Sequence, residues 1–199
     1  MSTDKRDAMR AIRDEVLKLV DSPLYSYRTK NNYYPVIGEG NHDAAIVFVG
    51  EAPGKNEAER ARPFCGAAGR ILDEVIASLG IERDDVYITN IVKDRPPENR
   101  DPTPEEIALY APFLDRQIEI IEPSVVATLG RFSMEYVLKR YGAEDTIQPI
   151  SRLHGTEVVL PDEYGFVVMP LYHPAVALYN ASEKETLLAD VAKLKPFCE

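Results

Sequence analysis

Three short apolar runs in this chain each end on a polar cluster. Ala44 to Val49 leads into Gly50-Glu51-Ala52-Pro53-Gly54, Val86-Tyr87-Ile88-Thr89 into Asn90, and Val167 to Tyr172 into His173-Pro174-Ala175. Between the first two runs, Ala67 to Leu79 carries apolar residues at helical spacing, and Gly80 is placed to end that helix in a left-handed conformation. Buried strands alternating with amphipathic helices build an α/β sheet that is largely parallel. In such sheets ligand sites open beyond the carboxyl ends of the strands, so the three polar clusters are predicted to meet in one crevice.

The remaining pattern fills in this frame. Met9, Ile12, Val16, Leu17 and Val20 recur at helical spacing and predict an N-terminal amphipathic helix, followed by an irregular, tyrosine-rich connector over 21–43. The second strand is expected over 86–92 and the third over 124–129, with a helix over 132–140 that Gly142 stops. Two more strands, 157–160 and 166–169, flank a five-residue turn and form a hairpin. Thr103-Pro104-Glu105-Glu106 is a capping box for a helix to Ile121, which Pro112 should break or kink near Leu109. Ser182 with Glu185 is a second box, for a last helix to about Leu194. The expected fold is a three-layer α/β/α sandwich around a mostly parallel sheet of four to five strands. It forms a single domain over 1–199, with the helix and connector in 1–43 and the core in 44–199.

A chain of 199 residues that is 45% apolar can bury one sizeable core. No apolar run approaches the roughly 18 to 20 residues that span a bilayer, and Met1 to Val20 alternates charged with apolar residues, unlike a secretory leader. A soluble, cytoplasmic protein with no membrane partner is expected. The two cysteines, Cys65 and Cys198, have no metal-ligand spacing and read as free thiols. A formal charge of −10 disfavours loose adhesion to nucleic acid. Any DNA-acting site would need a local basic face, which Arg60, Arg62, Lys93, Arg95 and Arg100 can supply in principle. Acidic residues gather elsewhere, in Glu105 to Glu122 and Glu183 to Asp190. The Gly50 motif lacks the Gly-Lys-Ser/Thr ending of a P-loop and the spacing of a dinucleotide turn, so nucleotide hydrolysis has little support.

Five motifs in order carry a stronger signal. Gly50-Glu51-Ala52-Pro53-Gly54 is followed by Arg62-Pro63-Phe64-Cys65-Gly66 with Gly69, and then by Thr89-Asn90-Ile91-Val92-Lys93. After these come Arg95-Pro96-Pro97-Glu98-Asn99-Arg100-Asp101-Pro102-Thr103 and finally His173-Pro174-Ala175. This series resembles the family 4 uracil-DNA glycosylases, from about Val36 to Leu194. The resemblance implies hydrolytic removal of uracil from single- or double-stranded DNA by a monomer, leaving an abasic site. No lysine lies where a Schiff-base nucleophile would be expected, so strand cleavage is not.

The resemblance also assigns roles. Breaking the C1′–N1 bond puts negative charge on the departing base, and His173 fits as the donor to O2. The Asn90 carboxamide can both donate and accept, matching O4 and N3–H of uracil, and Phe64 can stack on the extruded base. Glu51 and Asn99 would act together on the attacking water, Glu57 would line the pocket near uracil C5, and Ala52 would lie against the base. Family 1 enzymes have a water-positioning Asp where this chain has Ala52, and a thymine-excluding Tyr where it has Gly54. Lys93, Arg95 and Arg100 are expected on DNA, with Leu178 or Tyr179 as the wedge that fills the gap left by the flipped base.

Family 4 enzymes usually hold an iron-sulfur cluster on four cysteines. The matching positions here are Ser22, Tyr25, Asp94 and Tyr110, none a thiolate, so no cofactor is expected and Tyr25 and Tyr110 should fill the space. Two alternatives stay open: a glycosylase of shifted base specificity, and a module that binds or covalently captures uracil-DNA without turnover. The basic loop insertion associated with covalent capture is missing after Lys93.

Overall fold

The computed structural model describes residues 3–198. Its helices are α1 (Thr3–Leu17), α2 (Tyr25–Lys30), α3 (Lys55–Arg60), α4 (Ala67–Ala77), α5 (Pro104–Ile121), α6 (Arg131–Arg140), α7 (Ile150–Leu153) and α8 (Ala181–Val191). Its strands are β1 (Glu39–Gly40), β2 (Ile46–Gly50), β3 (Tyr87–Asn90), β4 (Val125–Leu129), β5 (Val158–Val159) and β6 (Val167–Leu171). They join in the order β1-β3-β2-β4-β6-β5. The inner four are parallel, and β1 and β5 close the edges antiparallel.

Because strand side chains alternate between faces, β2 sends Val47 and Val49 into one core and Ile46 and Phe48 into another. The first core receives α1, α5 and α6, the second α4 and α8. This is the expected three-layer sandwich, with one strand more than foreseen. The extra strand, β1, is only two residues long and lay inside the presumed connector, where a period of two cannot show itself. The short helix α2, at six residues fewer than two turns, was hidden there because a helical period cannot repeat over so short a run.

Three local expectations change. Helix α5 runs unbroken through Pro112. Pro112 and Ala108, whose carbonyl loses its helical donor, are both exposed, so water can satisfy that group without a break in the helix. Helix α8 is capped by Asn180, whose side chain accepts from the Ser182 amide, rather than by Ser182 with Glu185. At the end of α1, Met9, Ile12 and Val16 are buried, but Leu17 and Val20 are exposed because the helix stops at Leu17 and the chain turns away. The Thr103 box forms as expected, with reciprocal bonds between Thr103 and Glu106.

Candidate active site

Strands β2 and β3 run in register, with Gly50 opposite Asn90, so both end at the same level of the sheet. The lack of a side chain at Gly50 is required by its neighbours. A Cβ there would collide with the Asn90 amide oxygen and lie 2.7 Å from the Phe64 ring. Asn90 and Phe64 therefore meet over the bare end of β2. The rings of Phe64 and His173 are 5.7 Å apart, which brings the ends of β2, β3 and β6 to one cavity of about 450 Å³. Its walls include Glu51, Ala52, Glu57, Phe64, Asn90, Asn99, Arg100 and His173.

Each group is held by local structure. Phe64 is buried with φ of 45°, a left-handed conformation that costs a non-glycine residue energy and persists only where surroundings enforce it. The enforcement is visible: Arg83 donates to the Pro63 carbonyl at 2.6 Å, and the Glu57 carboxylate accepts from the amides of Cys65 and Gly66 at 3.1 and 3.0 Å. Glu57 thus lines the cavity as expected and also braces the loop that presents Phe64. Asn90 is buried, and its Oδ1 has no hydrogen-bond partner. Buried polar atoms are rarely left so, and Asn90 is among the residues that line the cavity.

His173 Nδ1 accepts from the Ala175 amide at 3.1 Å, so in the neutral ring the proton sits on Nε2. Burial pushes the His173 pKa down, with a smaller opposing pull from Glu57, so the ring is the neutral donor. Burial pushes Glu51 up to about 7, helped by the nearby Asp101 carboxylate and opposed by Arg131. A carboxylate with a pKa near 7 in the same cavity as an imidazole donor suits proton transfer and anion stabilisation.

Not every assigned residue behaves as its assignment foresaw. Asn99 lines the cavity, yet its Oδ1 accepts from Arg95 Nε at 2.7 Å, and no hydrogen bond joins it to Glu51 among the described residues. Lys93 is wholly buried, bonded to Thr89, Asn90 and Gln117, and cannot touch DNA. Its head group meets Gln117 of α5, on the side of the sheet that carries the first core, a placement that a charged residue beside a strand does not advertise. Arg95 is half-buried, donating to Tyr33 and Asn99, and Arg100 pairs with Glu106 at the rim. Arg60 is exposed, and Arg62 pairs with Glu39. Leu178 is half-buried against the second core, whereas Tyr179 is 92% exposed and Val176 38%. Sequence reasoning missed Asp101 and Arg131 as charges acting on Glu51: Asp101 lies within the fourth motif but far from Glu51 in the chain, and Arg131 lies outside all five motifs.

Ser22, Tyr25, Asp94 and Tyr110 do gather in space. Ser22 Oγ and Tyr110 Oη are 2.7 Å apart, Tyr110 donates to Asp94 at 2.6 Å, and Arg28 pairs with Asp94 at 3.0 Å while lying over the Tyr25 ring. Oxygen donors that bond one another and a guanidinium do not fit an iron-sulfur cluster, which is held by thiolates. Tyr110 is buried as expected, but Tyr25 is half-buried, and Arg28, unforeseen, takes the buried place.

The model for the uracil DNA glycosylase superfamily matches residues 37–195. The type-4 uracil-DNA glycosylase of Sulfurisphaera tokodaii is 44% identical over 191 residues, covering 95% of this chain and 84% of that protein. That of Archaeoglobus fulgidus is 45% identical over 174 residues, covering 86% and 85%. That of Thermotoga maritima is 40% identical over 198 residues, covering 97% and 96%.

Proposed function

The chain belongs to the uracil DNA glycosylase superfamily, and from that premise we propose that it excises uracil from DNA by hydrolysis, in the manner of a type-4 enzyme. The single observation that carries this reading is the meeting of Phe64, Asn90 and His173 in one cavity beyond the strand ends.

The uracil nucleotide leaves the stack and its base enters the cavity against Phe64. N3–H donates to the unpartnered Asn90 Oδ1, and Asn90 Nδ2 donates to O4. Cytosine offers an acceptor at N3 and a donor at C4, so the same carboxamide orientation rejects it. As the C1′–N1 bond breaks, its electron pair moves into the uracil ring, and His173 Nε2–H stabilises the charge at O2. Water attacks C1′, and its proton passes to ionised Glu51. Asn99, held by Arg95, lines the water side. Arg100 and Arg95 meet phosphates at the rim, and exposed Tyr179 fills the vacated gap in the duplex. The enzyme acts as a cytoplasmic monomer on single- or double-stranded DNA. It holds no iron-sulfur cluster, and the hydrogen-bonded network around Asp94 stands at the positions that the family resemblance aligns with cluster cysteines.

Release of free base from oligonucleotides containing uracil, thymine or hypoxanthine tests the reading. Uracil should be released, and His173→Ala and Asn90→Ala should each slow release by about 10²-fold or more. Release of another base in preference to uracil, or an adduct with DNA that survives SDS and heat, would overturn it. Active protein purified without bound iron or sulfide tests the cluster-free proposal.

A further inference from the structure

Lysine is almost never fully buried, yet Lys93 has no exposed surface. Among the described residues no carboxylate pairs with it. Its Nζ lies 2.6 Å from the Asn90 carbonyl oxygen, 2.6 Å from Gln117 Oε1 and 2.8 Å from Thr89 Oγ1. The first two are acceptors only, so Nζ donates to both whether it is an amine or an ammonium. The post is itself anchored. Gln117 Nε2 donates to the Ile37 carbonyl at 2.9 Å and meets Tyr87 Oη at 3.0 Å, and the Thr89 hydroxyl donates to Ile37 at 2.8 Å. Burial pushes the Lys93 pKa down, which lowers the cost of keeping this group inside.

Thr89 and Lys93 lie toward the first core, while the Asn90 side chain points the other way, against Gly50 and Phe64. On the β2 side the backbone stays held past Asn90, with the Ile91 amide on the Gly50 carbonyl and the Val92 amide on the Glu51 carbonyl at 3.0 Å each, whereas on the other side the pairing with β1 stops at Ile88. A side chain on the last residue of a strand inherits its direction from a peptide that the sheet no longer holds on both sides. We infer that Lys93 is a positioning residue for base recognition: from behind the sheet it fixes the Asn90 peptide, so that the carboxamide meets the base in one orientation. This rests on Asn90 reading uracil, and it replaces a DNA contact as the reason for a lysine in this motif.

The test is a double-mutant cycle of Lys93→Met with Asn90→Ala, read as single-turnover uracil release and as affinity for uracil-DNA. Lys93→Met alone should slow release about 10- to 100-fold, the cost of a misplaced catalytic contact, with affinity for the DNA changed much less. In the Asn90→Ala background the same change should cost less than about threefold, because the group it positions is gone. Leu138→Ala, a core change away from the cavity, gives the cost of lowered stability alone and should multiply with Asn90→Ala. If Lys93→Met does not fold, Gln117→Leu removes one of the bonds that hold the post and should show the same non-additivity. Wild-type rates in Lys93→Met, or losses that multiply with Asn90→Ala, would overturn the inference while leaving uracil excision standing. A wild-type chain that releases no uracil would overturn the reading of the cavity itself, and this inference with it.

Discussion

Glu51 is the residue whose chemistry depends most on its surroundings. Burial and Asp101 push its pKa up to about 7, and it must be ionised to take a proton from water. Uracil release should therefore rise with pH through about 7 and level off above. Glu51→Gln should abolish that limb and lower the rate by about 10²- to 10⁴-fold, as single-turnover kinetics across pH would show. A folded pKa raised above the unfolded one favours the protonated form in the native state, so stability is lost as pH rises from about 4.5 to about 7. Glu51→Gln should then be more stable than wild type above pH 7, the mark of a group held for function against stability. Arg131→Ala removes the opposing positive charge and should move the limb to higher pH, whereas a role for Arg131 limited to phosphate contact would leave it in place.

At the level of elements, the strand ends matter more than the strands. Gly50 and Asn90 are the last residues of β2 and β3, His173 stands two residues beyond the end of β6, and strand register brings them level. The helices tolerate departures from ideal sequence where solvent can compensate. In α5, Pro112 costs about 3 kcal/mol relative to alanine in a helix interior, offset by about 1 kcal/mol of lost freedom in the unfolded chain. Pro112→Ala should thus stabilise the protein by about 1 to 2 kcal/mol, measured by denaturant unfolding. No gain would mean that the helix is already adapted to the proline. The capping box at Thr103 was legible because its bonds lie within four residues. The cap at Asn180 was misread because Ser182 offers the same chemistry two residues on, and only backbone geometry chooses between them.

Across the whole molecule, the network of Ser22, Arg28, Asp94 and Tyr110 ties the N-terminal helices to α5 and to the loop after β3. The Arg28–Asp94 pair is almost completely buried, with side-chain exposures of 6% and 1%. Such pairs add little net stability, but removing one partner strands the other charge at a cost of about 3 to 5 kcal/mol. Asp94→Ala should lower stability by that amount with no change in bound iron, measured by thermal unfolding and metal analysis. Loss of iron on that substitution would show that the site holds metal after all. The motifs fixed the fold class and named most of the cavity wall, because strand period, glycine turns and carboxamide and imidazole chemistry are written in neighbouring residues. Only the tertiary structure decided that Lys93 faces inward beneath Asn90, that Tyr179 is far more exposed than Leu178, and that Arg131 and Asp101 act on Glu51. Burial and electrostatic fields arise from residues far apart in the chain, and their sum exists only once the chain is folded.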